Sequence, residues 1–110
     1  MKWDVLFLPE AEDDLDRLDK GIRGIVLKAL EKVRQNPLPK EEGGYGKPLG
    51  HKRNIDLSGF LKIKILNAGI RIIYKLERRE NQMVIVVIGA RKDDLVYKTA
   101  TQRINKLGSS

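Results

Sequence analysis

The chain has 110 residues, a length that predicts one domain with one ordinary hydrophobic core. Apolar residues make up 41% and charged residues 34%, which is typical of a soluble globular protein rather than a disordered one. The lack of cysteine excludes disulfides, thiolate zinc sites and cysteine nucleophiles, and no apolar run approaches the roughly 20 residues of a membrane span. The N-terminal segment has no signal-peptide features, so a cytoplasmic location is predicted.

The net charge of +7 is unevenly distributed along the chain. Residues 1–45 contain 8 basic and 10 acidic side chains, a net charge of −2. Residues 46–110 contain 14 basic and 5 acidic side chains, a net charge of +9. This asymmetry favours a polyanionic partner for the second half, most often a nucleic acid. A solvated, lysine-rich surface would have the same composition.

The first third of the chain predicts one strand and two helices. Apolar and polar residues alternate over residues 2–7, which is the period of a strand. Apolar residues then recur every three or four positions, which is the period of a helix. Because Gly21 and Gly24 interrupt that stripe, we predict two packed helices, over residues 9–19 and 22–35.

The remainder of the chain predicts a loop, three strands and a helix. Glycine and proline are concentrated in residues 37–59, which indicates a long loop of the kind that is usually functional or mobile. Strands are predicted over residues 60–66, 70–77 and 83–90, the last of them central because it is apolar on both faces. A short helix is predicted over residues 93–107. The order indicates an α+β fold: an N-terminal strand, two packed helices, a three-strand antiparallel meander and a short C-terminal helix.

Cations on the first two meander strands form the first candidate site. Lys62 and Lys64 project from one face of their strand, because side chains alternate with a period of two. A two-residue turn at Asn67-Ala68 would place Lys64 opposite Arg71 and Lys62 opposite Ile73. Like charges opposite each other destabilise a sheet, so this arrangement favours a site for an anion. The alternative is that the lysines simply line a solvated face.

Arg91 and Tyr97 extend this candidate site. Arg91 ends the most apolar strand, and it shares a face with Arg71 if the second hairpin has a loop with an odd number of residues. Tyr97 follows six residues later. Its spacing with Ala100 and Ile104 is typical of a core-facing aromatic residue on a helix, which is at least as good an interpretation as a functional tyrosine.

The sequence predicts neither a metal nor a cofactor site. The single histidine, His51, lies in the glycine-rich loop, where a lone histidine is more often solvated than a ligand. The acidic pair Asp93-Asp94 precedes a predicted helix, and carboxylates in that position usually interact with the helix dipole. We therefore expect chemistry that depends on the chain's own side chains.

Four short motifs in the second half of the chain resemble a known family: Lys62-Ile63-Lys64, Gly69-Ile70-Arg71-Ile72-Ile73-Tyr74, Ile88-Gly89-Ala90-Arg91 and Val96-Tyr97. In residue type, spacing and element order they resemble the RelE family of bacterial toxins, part of the RelE/ParE superfamily of type II toxin–antitoxin systems. The resemblance covers nearly the whole chain. It departs at Ile70, where the family has tyrosine, and no residue of the loop before Lys62 is matched to a family residue.

The resemblance implies a single RelE-like toxin domain over residues 1–110 that acts as a metal-independent endoribonuclease. Such members are implied to cut messenger RNA in the ribosomal A site through the RNA's own 2′-hydroxyl, and so to inhibit translation. The implied catalytic residues are Lys62, Lys64, Arg71, Arg91 and Tyr97. Tyr97 or one of the lysines would be the general base, while the arginines would bind the scissile phosphate and stabilise its growing charge.

The same resemblance implies partners and leaves alternatives open. The implied partners are a cognate antitoxin protein, with a heterotetramer as one form of the complex, and the ribosome and messenger RNA; no membrane partner is implied. One alternative is a relative of the ParE group, which acts on DNA gyrase and does not cleave RNA. Another is an inactive module that only binds an antitoxin or a ribosome.

Overall fold

The computed structural model describes residues 2–52, 55–90 and 95–108. Five strands and three helices make up most of this part of the chain. In chain order they are β1 (Asp4–Phe7), α1 (Pro9–Arg17), α2 (Lys20–Val33), β2 (Lys47–Lys52), β3 (Ile55–Ile65), β4 (Ile70–Glu77), β5 (Gln82–Ala90) and α3 (Leu95–Gly108).

The strands form one sheet in the order β1-β5-β4-β3-β2. β1 runs parallel to β5, and every other neighbouring pair is antiparallel. The predicted α+β fold, with its meander and C-terminal helix, is therefore confirmed. β5 is an interior strand, as its apolar residues on both faces predict: it lies between β4 and β1, while β4 occupies the middle of the sheet.

The segment predicted as a long loop contains a strand that the sequence pattern did not reveal. β2 pairs with residues 55–62 of β3, which begins at Ile55 rather than at residue 60. Pro48 and Gly50 lie inside β2, and both residues weaken a strand signal. They are tolerated because β2 is the last strand of the sheet and its register shifts between them. Gly50 has a φ of 65°, which favours glycine.

The two N-terminal helices are confirmed, but the break between them is not at the glycines. It lies at Leu18 and Asp19, whose backbones are both extended. Gly21 and Gly24 lie inside α2 and are exposed, and nothing lies within 4 Å of a Cβ built on Gly24. Each glycine costs the helix about 1 kcal/mol relative to alanine without ending it, since the buried face of α2 holds the helix on the core.

The sheet carries helices on both of its faces. On one face Tyr74 donates a hydrogen bond of 2.7 Å from its hydroxyl to the carbonyl oxygen of Pro37, just beyond α2. Burial raises the pKa of the Tyr74 hydroxyl well above its ordinary value, so this donor stays protonated. On the other face α3 crosses β5 at Gly89, where an added Cβ would lie 2.6 Å from Cγ1 of Val96. The glycine thus permits a close approach of α3 to the sheet.

Candidate functional site

The face of the sheet beneath α3 carries the predicted cations in the predicted register. Lys64 lies directly opposite Arg71, and Lys62 lies opposite Ile73. The turn between β3 and β4 spans four residues rather than two, but the pairing is the same. On the other side of β3, Lys62 lies opposite Lys47 of β2. The strand that was missed therefore adds a cation to this face, and two like-charged pairs adjoin along β3.

The side chains of these cations differ in burial. Lys64 is exposed and Arg71 is half-buried, whereas Lys62 is only 5% exposed. Within the described part of the chain, Lys62 is the charged residue that the fold buries. Burial of an ammonium group costs free energy that an apolar side chain would not cost.

Arg71 has an aromatic partner but an incomplete set of hydrogen bonds. Its guanidinium carbon lies 5.1 Å from the centre of the Tyr97 ring, a cation–π contact of the kind worth about 0.5–2 kcal/mol. Its Nε is buried, and no acceptor among the described residues bonds to it. An unmatched buried donor costs about 1–3 kcal/mol. A group of this kind usually has a functional explanation, such as a ligand oxygen, when it occurs in a native fold.

Tyr97 is both a core residue and a neighbour of the site. It is 3% exposed and belongs to the hydrophobic core together with Val96 and Ala100 of α3. The interpretation of Tyr97 as core-facing, which the sequence left open, agrees with this burial. Its ring also covers the guanidinium of Arg71. Tyr97 therefore restricts the positions that Arg71 can adopt.

Arg91 lies outside the described residues, but the geometry of its strand is visible up to Ala90. Glu77 pairs with Gln82, so the hairpin loop contains the four residues 78–81. The odd loop that would align Arg91 with Arg71 is therefore absent. A bulge shifts the register of β5 by one residue, and this shift brings Gly89 opposite Arg71.

A partly buried ion pair at the edge of β5 was not predicted. Arg103 on α3 donates to both carboxylate oxygens of Asp14 on α1, at 2.7 and 3.2 Å, and to the carbonyl oxygen of Val86 at 2.9 Å. Asp14 also accepts a bond of 3.0 Å from the backbone N–H of Ile88. The pairing of β1 with β5 ends at Ile85, so these two side chains satisfy the backbone where the neighbouring strand stops. Their separation in sequence gave no signal for the contact.

A basic groove adjoins the candidate site. It has a volume of about 630 Å³ and lies between α2, the segment before β2, and β3. Five lysines line this lysine groove: Lys32, Lys40, Lys47, Lys62 and Lys64. They come from four separate segments, which explains why no single motif in the sequence revealed it.

The described residues offer no cluster of three histidine, aspartate or glutamate side chains that could hold a metal ion. In the same part of the chain, no helix is long and apolar enough to cross a membrane.

Comparison with known proteins identifies the family. The model of the ParE toxin family of type II toxin–antitoxin systems matches residues 5–95. The chain belongs to this family. A RelE-like toxin protein of Escherichia coli is 27% identical over 107 residues, covering 94% of this chain and 99% of that protein. The resemblance to the RelE/ParE superfamily is thus confirmed, and the chain is a RelE-like toxin of toxin–antitoxin systems.

Solved structures of RelE toxins share the fold of this toxin. A mutant of Escherichia coli RelE in the free state has a TM-score of 0.72 at 21% identity, covering 94% of this chain and 99% of that one. The toxin–antitoxin complex RelBE2 from Mycobacterium tuberculosis contains a chain with a TM-score of 0.67 at 23% identity, covering 83% of this chain and 100% of that one. At these identities the likeness establishes the shared fold.

Proposed function

We propose that this toxin is a ribosome-dependent endoribonuclease that cuts messenger RNA in the A site and thereby stops translation in the cytoplasm. The observation that carries the proposal is the pair of Lys64 and Arg71, which face each other across β3 and β4 while Nε of Arg71 lacks an acceptor among the described residues. An anion between these side chains would relieve both their repulsion and the unmatched donor. A phosphodiester supplies such an anion.

The proposed reaction needs only side chains that stabilise negative charge on the phosphate and a side chain that accepts a proton. The 2′-hydroxyl oxygen of the RNA attacks the adjacent phosphorus as its proton passes to a base, and the bond to the 5′-oxygen breaks. The 5′-oxygen takes up a proton from water, so the products are a 2′,3′-cyclic phosphate and a 5′-hydroxyl. Arg71 and Arg91 stabilise the charge that develops on the phosphoryl oxygens. No metal is required, because the RNA carries its own nucleophile.

The proton of the 2′-hydroxyl goes to a lysine or to Tyr97. Lys64 is exposed and lies opposite Arg71 across the strand pair, so its amine is within reach of an RNA strand whose phosphate binds Arg71. Tyr97 is 3% exposed and stacks on Arg71, so it holds that guanidinium in place in the free protein. It can act as a base only where RNA binding exposes its hydroxyl. The exposure of the two residues favours Lys64 for the proton transfer.

The proposal includes a cognate antitoxin. Structures with this fold include RelBE toxin–antitoxin complexes of Escherichia coli and Mycobacterium tuberculosis. An antitoxin can cover the cationic face, or it can displace α3 and carry Tyr97 away from Arg71. Displacement must break the pair of Arg103 and Asp14, whose side chains are 17% and 10% exposed. Because displacement would break this partly buried pair, we expect the antitoxin to inhibit by covering the site.

The test is a translation assay with messenger RNA analysed for breaks inside codons. We expect Arg71→Ala to lower the cleavage rate by about 10²- to 10³-fold, the scale of losing one donor to a developing oxyanion. Arg79→Ala is the matched control, because it also removes one positive charge and Arg79 is exposed in the hairpin loop. Thermal melts by circular dichroism establish that both variants are folded. Full cleavage by folded Arg71→Ala would refute the proposal.

A second candidate function is the poisoning of DNA gyrase, which the match to the ParE family model favours. It predicts DNA breaks with intact messenger RNA in cells that express the toxin. It also predicts that neither Lys64→Ala nor Arg71→Ala relieves growth arrest. A toxin that leaves both DNA and messages intact would instead be a module that only binds its partners.

A further inference from the structure

We propose that the lysine groove binds a single-stranded segment of RNA next to the phosphate that is cut. This inference rests on the proposed nuclease function for the identity of the strand, but its evidence lies in a different part of the molecule. The groove-specific residues are Lys32, Lys40 and Lys47, together with Tyr45. None of them belongs to the set of candidate catalytic residues.

The charge of the groove is of one sign. Its lining contains five lysines and, within the described part of the chain, no carboxylate. Glu42 is close in sequence to Lys40, but it forms a bidentate pair with Arg78 at 2.9 Å for each bond and does not line the groove. No carboxylate of the lining therefore neutralises Lys32, Lys40 or Lys47. A ligand with several negative charges is the natural occupant.

The groove also offers an aromatic surface. Tyr45 is 48% exposed, and Nζ of Lys32 lies 5.4 Å from the centre of its ring. An exposed aromatic ring beside cations is the combination by which proteins bind single strands, since bases stack on the ring while phosphates meet the lysines. An acidic peptide would use the lysines but would gain little from the ring. The ring therefore favours RNA over a peptide.

The position of the groove connects it to the candidate catalytic face. Lys62 and Lys64 line the groove and also project from the face that carries Arg71. The pairing of β2 with β3 ends at Lys47 and Lys62, so from Ile63 onward no strand among the described residues pairs with β3 on that side. A single strand of RNA can therefore pass around this unpaired edge of β3, from Arg71 into the groove. Its volume, about 630 Å³, is in the range that holds a ligand of about one or two nucleotides.

The test measures binding of a fluorescent six-nucleotide RNA, with 2′-O-methyl groups that block cleavage, to the full chain by anisotropy. We expect the double variant Lys32→Ala, Lys40→Ala to weaken binding at least tenfold at low salt. The slope of log affinity against log salt should fall by about 1.4, because about 0.7 counterions are released for each phosphate contact with a single strand. The matched control is Lys20→Ala, Lys28→Ala on α2, two exposed lysines outside the groove.

Two further measurements distinguish RNA from an acidic peptide. Tyr45→Ala should weaken RNA binding several-fold, while Tyr45→Phe keeps the ring and should restore it. A hexaglutamate peptide should compete poorly. Tight binding of the peptide, with RNA binding insensitive to Tyr45, would overturn the proposal in favour of an acidic protein segment. Equal loss in the groove and control variants would overturn it in favour of non-specific attraction.

The same variants separate this inference from the nuclease function. RNA binding that depends on Lys32, Lys40 and Tyr45 supports the groove even if messages stay intact in the translation assay, an outcome that would refute the nuclease alone. Cleavage at the normal rate by the double variant, with unchanged RNA binding, would refute the groove and leave the nuclease standing.

Discussion

Arg103 and Arg71 are both packed between α3 and the sheet, yet the fold treats their charges differently. Arg103 has two bonds to a carboxylate and one to a backbone carbonyl. Arg71 has an aromatic ring and a buried Nε without an acceptor in the described part of the chain. A buried charge with a complete set of partners is typical of structure, and one with an incomplete set is typical of a site that awaits a ligand. We therefore propose that Arg103 stabilises the fold and that Arg71 binds an anionic ligand.

Helix α3 contributes both the aromatic ring that contacts Arg71 and the arginine of the ion pair. Tyr97 near the start of α3 covers Arg71, and Arg103 further along the same helix holds α3 to α1. A substitution that weakens the ion pair can therefore shift α3, and with it the ring of Tyr97 at the candidate site. Variants of Arg103 need a stability measurement before their activity can be interpreted.

The largest effect is expected for Arg103→Met. This change leaves the partly buried carboxylate of Asp14 with only the exposed Arg17, at 3.9 Å, as a cation, and breaking such a pair costs about 3 kcal/mol, the lower end of the range for buried pairs. We expect a loss of that size in the free energy of unfolding, measured by urea denaturation. The double variant Asp14→Leu, Arg103→Met removes both charges and should recover much of the loss. A single variant within about 1 kcal/mol of the natural protein would contradict the structural role of Arg103.

A much smaller effect on stability is expected for Arg71→Met. The change removes the unmatched Nε donor and also the contact with the Tyr97 ring, two terms of opposite sign and similar size. We expect the free energy of unfolding to change by less than about 1 kcal/mol, while cleavage is lost as for Arg71→Ala. A loss of stability comparable to that of Arg103→Met would show that Arg71 holds the fold together, and the contrast would disappear.

The smallest effect is expected for a third arginine, which is paired but exposed. The hydrogen bonds from Arg78 lower the pKa of the Glu42 carboxyl below its ordinary value of 4.5. A lowered pKa means that the pair stabilises the fold above about pH 4.5 and that this contribution disappears as the pH falls through the folded-state pKa. Exposed pairs contribute little. We expect Glu42→Gln to lower the melting temperature slightly at about pH 7 and not at about pH 3. An equal shift at both values would exclude the ion pair as the cause.

The register of the candidate site could be predicted from the sequence because it depends on local rules. Alternation along a strand and a short turn at Asn67 determine that Lys64 faces Arg71, whatever the rest of the chain does. The strand β2 escaped prediction because its proline and glycine are disfavoured in strands generally and tolerated only at the edge of a sheet. Position in the sheet is a tertiary property that no local pattern contains.

The contact of Asp14 with Arg103 and the five-lysine groove escaped prediction for a related reason. The two members of the ion pair are 89 positions apart, and acidic residues are abundant around Asp14 on α1. Nothing in the sequence distinguishes the one carboxylate that turns inward. The groove lysines likewise resemble ordinary surface lysines until the fold brings their segments together.

Because α3 lies close to β5, the side-chain volumes at positions 89 and 96 constrain each other. Because a methyl group on Gly89 would fall 2.6 Å from Val96, alanine at position 89 is accommodated only if the residue at position 96 becomes smaller or the helix rises. A rising helix would lift Tyr97 from Arg71, since Tyr97 is adjacent to Val96 in the chain. The hydrogen atom that stands in place of a side chain at Gly89 thus permits the present distance between the ring of Tyr97 and the guanidinium of Arg71. A larger residue at position 89 would preserve this distance only if the residue at position 96 became smaller by a similar volume.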